Sequence, residues 1–353
     1  MDPALEEVCP VAQRRVTLAD VAARAGVSKT TVSFVLNDRP NTRISETTAA
    51  RVRAAAAELG YRVDPTARGL RTGRSLAVGF VSDEVTLTRY ASPMIRGLLD
   101  AGAQRDHVVI MTETDNRPEL LEESVRVLLA RRVDGLLFGL MRARLVQLPD
   151  IPRRIPAVVV NGTAQGRAAV LPDEYHGGLT AIEHLLTNGH TRIAFIGRSA
   201  QHLDPAVSAT IARRLAGIDA GLQAAGLRFA HEVEGADWEP DLGYAGAVEI
   251  LENTDVTAIL AANDRVALGV YQAAQARGLA IPDDLSVMSF DDEPVATYLR
   301  PQLSSVRLPY LEMGRTAMDR LLDSVAAGQA RELPSETLVP MPLVERGSVR
   351  RLG

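Results

Sequence analysis

Cysteine, lysine and long apolar runs are nearly absent from this sequence of 353 residues. Its one cysteine, Cys9, excludes a disulfide or a thiolate metal site within a single chain, as is typical of proteins in a reducing compartment. No apolar run reaches the roughly 18–20 residues that a membrane-spanning helix needs. Residues 1–15 are acidic and have no apolar stretch, unlike a secretory signal. We therefore expect a cytoplasmic protein.

The motifs of common α/β enzymes are missing too. There is no phosphate-binding loop, no GxGxxG after a strand, no GxSxG, and no cluster of His with acidic residues. The histidines are scattered, and His184 and His190 are interpreted as capping or surface groups. Asp pairs could do acid–base work, but nothing supplies a nucleophile. We expect no enzymatic activity, no cofactor and no metal site.

Positive charge is concentrated near the start of the chain. The net charge of −5 argues against nucleic acid as a partner, yet residues 11–74 carry twelve Lys or Arg against five Asp or Glu. The single lysine, Lys29, lies in this segment. Such asymmetry indicates a nucleic-acid-binding module attached to an acidic body, although a basic, solvated face would look similar.

Residues 16–38, VTLADVAARAGVSKTTVSFVLND, predict two short helices joined by a tight turn. Thr17 is an N-cap candidate for the first helix, and Gly26 ends that helix because glycine readily adopts the left-handed conformation. Ser28 caps the second helix, whose outward face shows Lys29, Thr30, Thr31, Ser33 and Phe34. A third helix runs from Ser45 to Leu59. The spacing fits a helix-turn-helix that enters the major groove, or a helical bundle for protein contacts.

The next segment, residues 61–74, predicts a helix of about two turns. Asp64 and Pro65 begin it, and Gly69 weakens it. A helix this short is not stable alone in water. It therefore either folds against partners and couples the two halves of the chain, or serves as a flexible linker.

From residue 75 onward, apolar runs alternate with helix-like stretches, which predicts parallel sheet covered on both faces. So many units indicate either a barrel or two open sheets. Irregular spacing and a hairpin-like pair formed by 157–162 and 168–172 favour two sheets. The apolar runs are 76–81, 107–113, 134–140, 157–162, 192–197, 257–263 and 285–290.

Open parallel sheets bind ligands beyond the carboxyl ends of their strands, and polar residues follow several runs. Asn161, Asn263 and Asp291 stand at such ends, near the only tryptophan, Trp238. An aromatic face ringed by Asp, Asn and Arg is suited to a sugar. Each group also has a structural interpretation: Trp238 as packing, Asn263 as a helix cap, Asp291 as a turn, Arg213 and Arg214 as a solvated face.

Residues 16–74 resemble the headpiece of the lactose-repressor (LacI) family, and the resemblance continues more loosely to about residue 346. It implies a hinge helix in which Leu70 wedges into the minor groove while Arg68 and Arg71 hold phosphates. Phe34 departs from the polar residue common in the family, so the preferred operator base is open. The implied DNA contacts are Thr17, Ser28, Lys29, Thr30, Thr31, Ser33, Phe34, Asn37, Arg68, Leu70 and Arg71.

The remainder resembles the type I periplasmic-binding-protein fold of the same family. The matching elements are RRLAG (213–217), AANDRVALG (261–269), SVMSFDD (286–292), ADW (236–238) and SSVRLPYLEMG (304–314). Leu308 replaces a glutamine that is common there. The implied effector contacts are Arg214, Trp238, Asn263, Asp291, Asn161 and Tyr310.

Together these features predict an α/β chain with an all-α helix-turn-helix headpiece and a two-lobed parallel-sheet sensor. We expect a homodimeric, DNA-binding repressor of carbohydrate-utilisation genes under control of a sugar. The alternatives are a nucleobase or other metabolite as effector, or a solute-binding protein. The expected segments are a tail (1–15), helix-turn-helix (16–61), hinge (62–74), lobe 1 (75–172, 307–337) and lobe 2 (173–306, 338–353).

Overall fold

A computed structural model of the chain describes residues 16–37, 42–61, 74–88, 91–328 and 335–353. The chain divides into two compact units between Ser75 and Leu76. The predicted hinge contacts Arg68, Leu70 and Arg71 lie outside the described residues, as does the tail. No helix in the described part of the chain is long and apolar enough to cross a membrane.

The first unit contains three helices, each started by a hydroxyl side chain. Thr17 forms a capping box with Asp20, Ser28 accepts a hydrogen bond of 3.0 Å from the Thr31 amide, and Ser45 caps the third helix. Gly26 ends the first helix with φ 65°, as its sequence position predicts. The helices are α1 (Leu18–Ala25), α2 (Lys29–Leu36) and α3 (Glu46–Glu58), packed around a buried core of valine and alanine.

The second unit contains two six-stranded sheets, which confirms the prediction of two open sheets rather than a barrel. Every apolar run predicted from the sequence lies in one of their strands. The first sheet contains β1 (Ala77–Asp83), β2 (Val108–Glu113), β3 (Gly135–Leu140), β5 (Ala157–Val160), β7 (Ala168–Pro172) and β13 (Glu336–Val339). The second contains β8 (Ile193–Arg198), β9 (His231–Glu234), β10 (Ala258–Ala261), β11 (Ser286–Asp291), β12 (Ser304–Arg307) and β14 (Leu343–Val344). Two short strands, β4 (Leu145–Val146) and β6 (Thr163–Ala164), pair outside these sheets.

Both sheets are wound in the same way. Their strand orders are β2-β1-β3-β5-β7-β13 and β9-β8-β10-β11-β12-β14, and every pairing is parallel except β12 with β14. The predicted hairpin is wrong, because β5 and β7 are parallel, with Val158 opposite Ala168. Between β5 and β7 the chain leaves the sheet and forms the short strand β6, which pairs with β4. The chain then re-enters the sheet as β7 in the same direction as β5.

Each sheet and its helices form one lobe, and the chain crosses between the lobes three times. The crossings follow β7, β12 and β13. Lobe 1 holds the first sheet with α4 (Ser92–Gln104), α5 (Pro118–Ala130) and α11 (Tyr310–Ala326). Lobe 2 holds the second sheet with α6 (Glu174–Thr187), α7 (Ile211–Ala224), α8 (Pro240–Asn253), α9 (Asp264–Ala276) and α10 (Pro294–Tyr298), and a 3-10 turn at Ala200–Leu203.

Helices α6 and α7 approach so closely that glycine is required where they touch. A Cβ on Gly178 would lie 2.1 Å from the Arg214 carbonyl oxygen, and one on Gly217 would lie 1.9 Å from that of Tyr175. Without these glycines the two backbones could not meet. The contact places the first residue of α6, Glu174, beside Arg214 of α7.

The interpretation of His190 as a capping or surface group is wrong. Its ring is fully buried, 2.9 Å from the Thr257 hydroxyl and 3.0 Å from the Arg350 carbonyl oxygen. Burial lowers the pKa of His190, so the ring is neutral near neutral pH. Through these contacts His190 holds the segment around Arg350 against the rest of lobe 2.

Candidate functional site: a cleft between two lobes

A cleft of about 650 Å³ lies between the lobes, where strands of both sheets end. All six predicted effector contacts line it, so residues far apart in sequence meet in one cavity: Asn161, Arg214, Trp238, Asn263, Asp291 and Tyr310. Leu308, at the position where glutamine was expected, lines the same cleft and packs against the cores of both lobes.

Arg214 is buried in the cleft wall and held on several sides. Its Nε and Nη2 atoms donate to the Glu174 carboxylate at 2.6 and 3.0 Å, and Nη1 donates to the Ala262 carbonyl at 2.9 Å. Burial opposes the charge, but the carboxylates of Glu174 and Asp291 raise the pKa of Arg214 above its ordinary value. The interpretation of Arg214 as a solvated helix face is therefore wrong. Sequence reasoning missed Glu174, although it follows the end of β7.

Asp291 ends β11 with its carboxylate turned into the cleft. Its Oδ1 atom lies 3.5 Å from Nη2 of Arg214 and has no hydrogen-bond partner in the described structure. Burial raises the pKa of Asp291 to about 6, with Arg214 opposing and Glu174 adding to the rise. The backbone is left-handed at Asp291 and Asp292, with φ 99° and 54°. Backbone strain of this kind concentrates at functional sites.

Trp238 is fixed in position by polar contacts. Its indole Nε1 donates to the Gly197 carbonyl at 2.8 Å, and its own carbonyl accepts from Asn263 Nδ2 at 3.2 Å. The His202 ring lies edge-on to the indole, with centroids 4.6 Å apart. Asn263 also caps α9 by accepting from the Val266 amide at 2.8 Å, which agrees with its structural interpretation. Asn263 thus orients the tryptophan and starts a helix at the cleft wall.

Asn161 and Tyr310 contribute to the cleft wall next to lobe 1. Asn161 has φ 57°, and its Nδ2 atom donates to the Leu140 and Met141 carbonyls at 2.9 and 3.0 Å. These bonds fix the Asn161 side chain, and its amide oxygen takes part in neither of them. Tyr310 begins α11 at the second crossing and is buried.

Three buried polar atoms on residues lining the cleft have no hydrogen-bond partner in the described structure. They are Oδ1 of Asp291, Oγ1 of Thr210 and Nδ1 of His202. Burial, with a smaller effect of Arg214, lowers the pKa of His202, so its ring is neutral. Buried polar groups are nearly always paired in native proteins, so these three atoms are candidates for contacts with a ligand. Sequence reasoning missed Thr210 and His202, which lie in the long segment after β8.

Direct contacts join the lobes beside the cleft. The Ala209 amide donates to the Ala143 carbonyl at 2.6 Å, and the Leu145 amide donates to the Pro205 carbonyl at 2.9 Å. Arg213 of α7 forms two hydrogen bonds of 2.9 Å with Glu336 of β13, in the other lobe. These contacts bridge the two lobes next to the cleft.

The helix-turn-helix presents a polar face on α2. Val32 and Val35 are buried, whereas Ser28, Lys29 and Thr30 are exposed. Among the other predicted DNA contacts, Thr17 is exposed, while Thr31, Ser33, Phe34 and Asn37 are half-buried. Asn37 Nδ2 donates to the Ser33 carbonyl at 2.7 Å and so helps to end the helix. Nowhere in the described ranges do three or more His, Cys, Asp or Glu form a candidate metal site.

Comparison with known proteins identifies both halves. Residues 17–64 match the model of bacterial regulatory proteins of the lacI family, and residues 182–349 match a periplasmic binding protein-like domain. The ribose operon repressor of Escherichia coli (strain K12) is 31% identical over 340 residues, covering 94% of this chain and 99% of that protein.

Solved structures resemble the chain over nearly its whole length. A Lac repressor dimer bound to operator and the anti-inducer ONPF aligns with a TM-score of 0.72 and 27% identity, over 96% of this chain and 100% of the other. A complex of the transcriptional regulator CelR with cellobiose aligns with a TM-score of 0.61 and 27% identity, over 95% and 100%.

Proposed function

This chain belongs to the lacI family of bacterial regulatory proteins, and we propose that it represses genes of carbohydrate utilisation under the control of a sugar that binds in its cleft. It is a DNA-binding transcriptional repressor regulated by a small molecule. The finer proposals concern which molecule binds, which residues hold it and how the chain meets DNA.

The unpartnered polar atoms of Asp291, Thr210 and His202 carry the proposal of a sugar. A carboxylate accepts hydrogen bonds, a hydroxyl donates and accepts, and a neutral imidazole does either according to its tautomer. A ligand that satisfies all three needs several donors and acceptors close together, which adjacent sugar hydroxyls provide. The fixed indole of Trp238 adds an apolar wall of the kind that sugar rings pack against.

Some of the relatives support the same class of effector. The ribose operon repressor is named for a sugar operon, and the CelR structure contains cellobiose. A nucleobase is the second candidate, because a flat heteroaromatic ring would also pack on Trp238. It would offer fewer hydroxyl donors to the carboxylate of Asp291.

Fluorescence of Trp238 tests the effector class, because it is the only tryptophan in the chain. The purified protein is titrated with a panel of monosaccharides, disaccharides and nucleobases, and thermal unfolding is measured in parallel. A saturable fluorescence change together with a raised Tm for a sugar supports the proposal. Binding of a nucleobase alone supports the second candidate.

For the DNA half, we propose that α2 enters the major groove with Lys29 and Thr30 on its exposed face. One headpiece covers a half-site, so a two-fold dimer on a pseudo-palindrome is expected. Exposed apolar side chains on α4 and on the edge strand β2 suit a dimer surface: Leu99, Val108 and Met111. The hinge contacts Arg68, Leu70 and Arg71 belong to the same proposal.

This assignment leaves the other sequence-based alternatives with less support. A solute-binding protein has no use for a helix-turn-helix, and the relatives are regulators rather than enzymes. We accordingly propose no catalytic role, and a repressor of this kind works in the bacterial cytoplasm, where its DNA is. Selection of binding sites from random DNA, followed by anisotropy titration with and without the sugar, tests the regulation. Affinity unchanged by a bound sugar would contradict it.

A further inference from the structure

Every arginine that lines the described cleft is paired with a carboxylate of the same chain. At the cleft rim, Arg142 lies 3.5 Å from Glu84, and Arg265 pairs with Glu239. Deeper in, Arg144 pairs with Asp83 and also donates to Asn116. The most buried pair is Arg214 with Glu174, whose side chains are 3% and 2% exposed.

Burial makes the interior pair resistant to displacement, unlike the pairs at the rim. The side chains of Arg142 and Arg265 are exposed, so an ion pair that either of them forms, with its present partner or with a ligand, contributes little. Removing Glu174 would leave the desolvated charge of Arg214 with only the more distant carboxylate of Asp291 as an ionic partner, which is unfavourable. Arg214 is the most buried of the four cleft arginines, and its charge is already neutralised.

A second carboxylate reinforces this effect. Asp291 lies 3.5 Å from Arg214, so two acidic side chains face one guanidinium. An anionic group placed beside Arg214 would be repelled by both carboxylates in a poorly solvated space. Glu174 and Ala262 already engage all three guanidinium nitrogens, so only two of the five N–H donors remain for a phosphate or carboxylate.

We infer that Glu174 is a specificity determinant: by neutralising Arg214, it restricts the cleft to effectors that carry no phosphate or carboxylate group. The inference rests on the proposed function, in that the effector binds in this cleft. It selects free sugars over sugar phosphates and sugar acids, which the resemblance alone leaves open. A sugar transported without phosphorylation, or released by hydrolysis, fits this restriction.

The first test compares matched pairs of compounds on the wild-type protein. Glucose and glucose 6-phosphate, ribose and ribose 5-phosphate, and galactose and galacturonate are titrated while Trp238 fluorescence is recorded. We expect that no anionic compound binds as tightly as its neutral parent. For a sugar that binds, the affinity of its phosphate should be at least about tenfold weaker. An anionic compound that binds as well as or better than its parent overturns the inference.

The second test uses Glu174→Gln, which keeps an acceptor for Arg214 but removes the negative charge. Sodium sulfate, at ionic strength held constant with sodium chloride, is the anion probe. The variant is expected to gain a saturable sulfate response in Trp238 fluorescence, at least about tenfold tighter than that of the wild type. Glu252→Gln, which removes the same charge from an ion pair of Arg277 away from the cleft, should behave as wild type.

Equal sulfate responses of wild type and Glu174→Gln overturn the role of Glu174. Circular dichroism shows whether the variant is folded. If it is not, the affinities of the wild-type protein for the matched neutral and anionic compounds test the inference. A panel in which no neutral sugar binds contradicts the proposed function rather than this inference. The sulfate comparison still tests Glu174 in that case, because it depends on Arg214 and not on the natural effector.

Discussion

Glu174 holds the guanidinium of Arg214 through two hydrogen bonds of 2.6 and 3.0 Å, between the first residue of α6 and the fourth residue of α7. The pair exists because those two helices touch at Gly178 and Gly217. The packing of lobe 2 and the charge of its ligand cleft therefore depend on the same helix contact.

Arg214→Ala should lower the free energy of unfolding by about 3–5 kcal/mol, because it leaves the Glu174 carboxylate buried without a partner. Urea unfolding followed by circular dichroism measures the change. Its neighbour Arg213 is the matched control, since its pair with Glu336 is partly exposed. Arg213→Ala should cost less than about 1 kcal/mol. Similar losses for the two variants would contradict the buried-pair interpretation.

Gly178→Ala should destabilise lobe 2 by at least about 1–3 kcal/mol and weaken effector binding. The added Cβ would lie 2.1 Å from the Arg214 carbonyl oxygen, so the helices must separate. Gly102→Ala in α4 is the control, because its nearest neighbour is the flexible end of Met318, at 3.3 Å. Thermal unfolding and effector titration measure both effects. Tolerance of Gly178→Ala without loss of either would show that the helix contact is dispensable.

Effector affinity should fall as pH drops below about 6. In the proposed complex, the ionised Asp291 accepts a hydrogen bond from the effector. Burial raises the pKa of Asp291 to about 6, so protonation of the carboxylate competes with effector binding. One pH unit below that value, affinity should be about tenfold weaker. Effector titrations between about pH 5 and about pH 7.5, repeated every few tenths of a pH unit, measure this dependence of the affinity on pH.

One control variant separates Asp291 from its neighbours. Glu293 and Asp264 also have raised pKa values, about 7 and about 8, so Asp291→Asn is needed to isolate the effect. Its weaker affinity should no longer change near pH 6. The stability of the unliganded protein should show the opposite sign, falling as pH rises from about 4 to about 6, because folded Asp291 binds its proton more tightly than unfolded. An affinity independent of pH would contradict the role of Asp291.

Lys29→Gln should weaken binding to all DNA sequences and reduce the slope of log K against log salt concentration by about one. Lys29 is exposed at the start of α2, the helix proposed to enter the groove. Arg24→Gln removes the same charge from α1, where the side chain pairs with Glu58. Fluorescence anisotropy at several salt concentrations should leave Arg24→Gln with the wild-type slope. Equal slopes for Lys29→Gln and wild type would place Lys29 away from phosphate.

Leu70→Ala should weaken binding to the selected operator far more than binding to unrelated DNA, because the wedge unstacks a base step only in the specific complex. Anisotropy titrations against both duplexes measure the difference. Equal losses on the two DNAs would remove Leu70 from the wedge position. This prediction comes from the sequence resemblance alone.

The sequence predicted those parts of the fold in which burial is continuous. Six of the seven apolar runs became buried strands, because central parallel strands are covered on both faces, and the seventh formed the partly exposed edge strand β2. Strand β9, His231–Glu234, was missed because it is a polar edge strand, and β12 to β14 because they are short. The direction of β5 relative to β7 depended on a pairing outside the sheet, which the local pattern does not contain.

The same division applies to the site. Asn161, Asn263 and Asp291 could be found because parallel strands end at one edge of each sheet. Glu174, Thr210 and His202 could not be found in this way. Their importance arises from the approach of α6 to α7 and from the path of the segment after β8. Those are properties of tertiary packing, and no motif records them.

Arg213 and Arg214 are consecutive residues of α7 that face different lobes. One is joined to Glu336 of lobe 1 beside the cleft, and the other to Glu174 within its own lobe. A rotation of α7 relative to lobe 1 would therefore strain both ion pairs together, the one that bridges the lobes and the one in the cleft wall.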